Sequence, residues 1–217
     1  MRISASLTCY FGKPPLMLPQ SGFIYQVSFP RAAMFIQTED TPNPNTLKFI
    51  PGREVMGPGA VADFPGVETA GRSPLAKALF RTPEVARVFF GSDFISITKR
   101  DGDWKHLKPA LLGTIMEHFT QGLPLMESAA PEEEGYKDGD PDIVYQVKYM
   151  IDTKVRPAVA QDGGDIIFKG FDLQTGIVSL HLQGSCAGCP SSTKTLKNGI
   201  ENMLRHYFPE VTAVEAV

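Results

Sequence analysis

Cysteine is scarce in this chain: three residues in 217, with Cys186 and Cys189 close together and Cys9 alone near the other end. That excludes a disulfide scaffold at this size and leaves metal or redox chemistry in a reducing, intracellular compartment as the use of the pair. Charge of one sign is lacking too. Lysine and arginine number 21 against 24 acids, a net charge of −3, which offers no electrostatic footprint for nucleic acid. No apolar run approaches the ~20 residues that cross a bilayer, so a helical membrane span is excluded. The first 33 residues contain no acid, only Arg2, Lys13 and Arg31 as charges. Their apolar stretches are broken by Pro14, Pro15, Pro19 and Pro30, which rules out a secretory signal.

Two readings of residues 1–33 remain. The segment is an upstream extension, with Met34 as the natural start, or a weak organellar transit peptide that is basic and acid-free but poor in arginine. The first is the working expectation, giving a bacterial cytoplasmic protein. The second would place the chain in the mitochondrial matrix. Either way residues 1–33 stand outside the fold.

What is present is an ordinary globular composition, 42% hydrophobic and 21% charged, long enough for two domains of about 100 residues. Residues 34–126 read as a mixed unit. Thr41-Pro42-Asn43-Pro44-Asn45 is dense turn chemistry, followed by a strand over 46–50. Ser73-Pro74 marks a helix start, with Ser as N-cap and proline at the first helical position. Strands over 85–90 and 94–98 meet around Gly91-Ser92-Asp93. A helix follows, starting between Lys105 and Pro109, with Leu107, Leu111, Leu112, Ile115, Met116 and Phe119 on its apolar face and Gly122 closing it.

Residues 127–141 read as a flexible acidic linker, with Glu127, Glu132, Glu133, Glu134, Asp138 and Asp140 against Lys137 and little apolar surface. Residues 142–217 form a second unit. Its first helix carries Ile143, Val147, Met150, Ile151 and Val155, and the residue before a proline avoids the α region, so it should stop before Pro157. Two strands, over 166–171 and 177–183, lead into the cysteine loop. A final helix with Leu196, Ile200, Met203, Leu204 and Tyr207 and a short strand over 211–217 close the chain. The fold class expected is α+β: two small α+β domains, the C-terminal one a helix/sheet sandwich with the cysteine loop between a strand and the last helix.

Gly184-Ser185-Cys186-Ala187-Gly188-Cys189-Pro190-Ser191-Ser192 carries the chemistry. Small residues let both sulfurs point one way, and Pro190 at a first helical position makes Cys189 the N-cap. Helix N-termini lower thiol pKa values, and the thiolate is the form that binds soft metals and iron–sulfur clusters. A loop this rich in Gly and Ser is expected to be exposed. Two thiolates complete neither a tetrahedral zinc site nor a four-iron cluster, and His181, His206 and Cys9 are poor candidates for the missing ligands. Two copies around a shared site would supply four sulfurs. A thiol–disulfide oxidoreductase using Cys186 as nucleophile and a zinc-bridged dimer stay open on these residues alone.

Other polar groups have plainer uses. Asp162 and Asp165 flank Gly163-Gly164 as turn and capping residues. Arg156 lines the cysteine loop or is an ordinary surface arginine, Lys194 adds positive potential near it, and Trp104 anchors its helix. The Thr41–Asn45 stretch is a turn or a partner-binding loop.

Val155-Arg156-Pro157-Ala158-Val159, Asp162-Gly163-Gly164-Asp165, the cysteine block through Thr193, and Thr195-Leu196-Lys197-Asn198-Gly199-Ile200-Glu201 closely resemble the C-terminal domain of NifU-like (Nfu-type) proteins. Phe35 to Asn45 and Arg72-Ser73-Pro74-Leu75-Ala76 resemble the N-terminal domain of the same family. The resemblance implies a non-enzymatic scaffold or carrier. It would hold a [4Fe-4S] cluster between the CxxC motifs of a homodimer and receive it from upstream assembly factors. Apo iron–sulfur proteins would take it over, with no nucleic acid or membrane as partner. Cys186 and Cys189 would be the cofactor-binding, metal-ligating residues.

Overall fold

The computed structural model describes residues 35–127, 141–187 and 190–217. Cys9, Cys189 and most of the expected acidic linker lie outside these, as do the expectations placed on residues 1–33. Glu127, at the linker's start, is tied into the preceding fold: its N–H donates to Arg72 O (2.8 Å) and its carboxylate pairs with Lys77 (3.1 Å).

The N-terminal half is a five-stranded antiparallel sheet in the order β1-β2-β5-β4-β3, with helices on one face. β1 (Gln37–Asp40) pairs with β2 (Thr46–Ile50) across the Pro-Asn turn. β3 (Ala62–Phe64) forms the far edge. α1 (Pro74–Leu79) starts as expected, with Ser73 Oγ accepting from the Ala76 N–H at 3.2 Å. β4 (Val85–Phe90) and β5 (Ile95–Lys99) make the hairpin, closed by Gly91 N–H to Phe94 O at 2.9 Å. α2 (Trp104–Gln121) begins slightly before the expected window because Asp103 caps it, accepting from the Lys105 N–H.

Gly122 ends α2 in the left-handed conformation, φ 66°. Leu107, Leu111 and Ile115 are buried as the periodicity predicts, but Met116 is exposed and His118 takes an inward position. Trp104 packs against the same core and donates from Nε1 to Pro44 O.

The C-terminal half is a three-stranded sheet, β6-β7-β8, with helices against it. α3 (Asp142–Met150) does not stop before Pro157. It runs through a π-helical turn at Ile151–Val155 into α4 (Arg156–Gln161). Proline lacks an N–H and crowds the carbonyl one turn back, and the wider i→i+5 winding, with Arg156 N–H bonded to Ile151 O, makes room for it.

β6 (Gly164–Asp172) and β7 (Ile177–Gly184) form an antiparallel hairpin with a register shift between Phe168 and Gly170. α5 (Pro190–Tyr207) crosses back so that β8 (Ala213–Ala216) lies parallel to β7. Val144, Val147, Ile151, Val155, Ile166, Phe168, Val178, Leu180 and Leu204 fill this second core.

Candidate functional site

β7 delivers the cysteine loop and α5 receives it. At the end of β7, Gly184 adopts φ +63°, a conformation glycine alone takes freely. A Cβ there would lie 2.8 Å from Gly163 O and 2.9 Å from the Phe89 ring. Ser185 follows, its N–H donating to Gly163 O (3.2 Å) and its Oγ to Asp162 O (2.5 Å). Ala187 N–H returns to Gly184 O, so Cys186 sits at the corner of a tight turn. Thr193, in the first turn of α5, donates from Oγ1 to Cys186 O (2.9 Å) and ties the loop to the helix.

The Cys186 sulfur is packed against Gly164, where an added Cβ would come within 2.8 Å of it. The residue is 7% exposed, against the expectation of an open loop. Desolvation raises its thiol from 9.0 to about 11. The Ser185 hydroxyl, 3.8 Å from the sulfur, works the other way, and the negative charges of Asp162 and Asp165 add to the rise. The expected thiolate is therefore corrected to a thiol in this arrangement. Burial outweighs whatever a nearby helix terminus contributes.

Cys186 is buried in the core of its own half, and residues of the other half come up beside its loop. Asn43, 4% exposed, donates from Nδ2 to Ser185 O at 3.2 Å. Its Oδ1 accepts the Asn45 N–H, so one side chain shapes its own turn and reaches across. Lys48 Nζ donates to Gln161 O at 3.3 Å. A cavity of about 300 Å³ is lined by Pro42, Asn43, Asp162, Ser185, Cys186, Thr195 and Leu196. Nothing in the sequence marks Asn43 as a neighbour of the cysteine loop, because Asn43 and Ser185 lie 142 positions apart.

The remaining candidates separate from the sulfur or change role. Asp165 is no turn residue: it is buried on β6 and takes a bidentate pair from Arg156, Nε to Oδ1 at 2.9 Å and Nη2 to Oδ2 at 2.6 Å. Arg156 also meets Asp152 at 3.7 Å, and its pKa is raised, first by the Asp165 hydrogen bond. Asp162 caps α4 and presents its carbonyl to Ser185. His181 is bonded through Nδ1 to Val217 O, and Lys194 is exposed. Among the described residues no group of three His, Cys, Asp or Glu side chains is placed to hold a metal ion. No helix of the described residues is long and apolar enough to cross a membrane.

Residues 36–122 match the family model described as scaffold protein Nfu/NifU N terminal, and residues 147–215 match the NifU-like domain. The human protein named NFU1 iron-sulfur cluster scaffold homolog, mitochondrial, is 50% identical over 209 residues, covering 95% of this chain and 80% of its own length. The Drosophila erecta protein of the same name is 50% identical over 189 residues, and this chain spans 66% of it. A solution structure of a NifU-like protein from Saccharomyces cerevisiae, 24% identical, covers 50% of this chain and 99% of its own with a TM-score of 0.42. The mitochondrial relatives overturn the bacterial cytoplasmic expectation. An acid-free, basic stretch over residues 1–33 is the composition an organellar address carries.

Proposed function

This chain belongs to the Nfu/NifU family of iron–sulfur cluster scaffold proteins, a scaffold family and not an enzyme family, and from that premise we propose a carrier whose working ligands are Cys186 and Cys189. Two copies share one [4Fe-4S] cluster as cargo, each chain supplying two thiolates to make the four sulfurs that such a cluster takes. The observation that carries this reading is the two-residue spacing of the cysteines inside the stretch that matches the NifU-like domain, with Cys186 at the end of β7 and α5 starting at Pro190. Soft sulfur ligands on a loop of small residues suit a cluster that must arrive and leave.

Delivery proceeds by ligand exchange. An acceptor thiol loses its proton and bonds to iron, the iron–sulfur bond to Cys186 or Cys189 breaks, and the released cysteine takes up a proton. No electron changes hands. The recipients are apo iron–sulfur proteins, upstream assembly factors supply the cluster, and the setting is mitochondrial.

Anaerobic reconstitution with iron and sulfide tests this. The expected product is a brown dimer with about four iron and four sulfide per two chains, lost in Cys186→Ala and in Cys189→Ala. A colourless protein that binds zinc instead, or one that cycles a Cys186–Cys189 disulfide against a substrate, would overturn it.

A further inference from the structure

The N-terminal sheet has two faces, and only one is occupied by its own helices. Phe49, Phe64, Phe90, Ile95 and Ile97 belong to the core beneath α1 and α2. Phe89, Phe94 and Ser96 are equally buried but stand outside that core. Their cover is the glycine-rich end of the β6–β7 hairpin. The Phe89 ring is 2.9 Å from where a Gly184 Cβ would stand, and Ser96 Oγ is 2.7 Å from the corresponding point at Gly163. Phe89 and Phe94 sit together, ring centroids 6.0 Å apart, and Lys48 lies over the Phe94 ring at 4.8 Å.

We propose that this second face, together with the Thr41–Asn45 turn, is an intramolecular latch that closes over Cys186 and must open before a cluster can be loaded. The inference rests on the carrier reading for what is being regulated, but the latch itself is a property of the chain without iron. Three observations converge on it. Asn43 is bonded to the carbonyl of the residue next to Cys186. Pro42 and Asn43 form one wall of the cavity onto which Cys186 opens, the space a second chain's cysteines would have to enter.

The third observation is the seam's polarity. Ser96 Oγ is buried there without a hydrogen-bond partner, beside a glycine turn. An unpaired buried hydroxyl weakens a contact that is otherwise well covered, as a contact that must separate requires. Gly163 and Gly184 let the hairpin end come close to Thr41, Ser96 and Phe89; bulkier residues there would hold the halves apart. Clients and assembly factors then act on the open form.

The test uses the full chain with Cys9→Ser and Cys189→Ser, so that Cys186 is the one thiol and no cluster forms. Alkylation of Cys186 should run far below its rate in denaturant. Asn43→Asp keeps the acceptor that shapes the turn but removes the donor to Ser185 O, and should speed alkylation about tenfold. Phe89→Asp, on the face away from the helices, should speed it further, with circular dichroism reporting whether the chain still folds. Alkylation at the denatured rate in the parent chain, or no change on Asn43→Asp, would overturn the latch. Failure of the wild-type chain to take up iron and sulfide would instead sink the carrier reading and leave these rates as they are.

Discussion

Arg156 and Asp165 are the residues whose removal should cost the C-terminal half most. Asp165 is 5% exposed and meets the guanidinium with both oxygens, so deleting Arg156 strands the carboxylate charge in a desolvated place. Arg156→Ala should lower unfolding free energy by about 3 kcal/mol, seen as a lower urea midpoint at unchanged slope. Cys186 makes a second prediction at this scale. Its thiol, raised from 9.0 to about 11, binds its proton more tightly in the folded chain than in the unfolded one. The stability this gives the fold is complete below pH 9 and lost as pH rises through about 11, a difference of about 2–3 kcal/mol. In the chain with Cys9→Ser and Cys189→Ser, thiolate absorbance followed against pH should therefore titrate near 11 when folded and near 9 once unfolded. The Cys186-x-x-Cys189 spacing on which the proposed ligand role rests was legible in the sequence. The burial of Cys186 was not, since a loop of small residues gives no sign that its sulfur joins the core of β6, β7 and α5.

At the scale of elements, local chemistry read well wherever the cause was local. The Ser73-Pro74 start of α1, the Gly91–Asp93 turn and the Gly122 cap each depend on residues within one turn of the feature. Ser73→Ala should cost about 1 kcal/mol through loss of its bond to the Ala76 N–H, measured as a lower melting temperature. Two short strands, β1 and β3, went unread because the first is polar and largely exposed and the second is only three residues long, so neither carries an alternating apolar run. The π turn went unread for a different reason. A proline signals a helix end from sequence, and only the packing of Val144, Val147, Ile151, Val155 and Val159 on one core reveals that winding continues past it.

On α2, His118 is buried with Nε2 unpartnered, and desolvation lowers its pKa below the ordinary 6.5. The folded state therefore prefers neutral imidazole. The associated stability is present above pH 6.5 and drains away as pH falls through the lowered value. Unfolding free energy measured across that range should drop in the wild type and stay flatter in His118→Leu.

The whole molecule joins two sheets of different construction, one purely antiparallel and one closed by a parallel strand through the α5 crossover. Two α+β units were legible from the sequence because each carries its own apolar periodicity. The seam between them was not, because its glycines, asparagine and serine carry no hydrophobic signal and Phe89 and Phe94 read as ordinary strand residues of one sheet. Placing both sides of that seam on one chain also sets a concentration. Covalently joined partners meet at an effective concentration on the order of millimolar. A second copy at micromolar levels thus begins roughly a thousandfold behind the chain's own turn in competing for the space before Cys186, a deficit of about 4 kcal/mol. Four new iron–thiolate bonds can offset that; a bare encounter of two empty chains cannot. Pairing should therefore follow the arrival of cargo, and an idle pool of this protein should be a pool of single, closed chains.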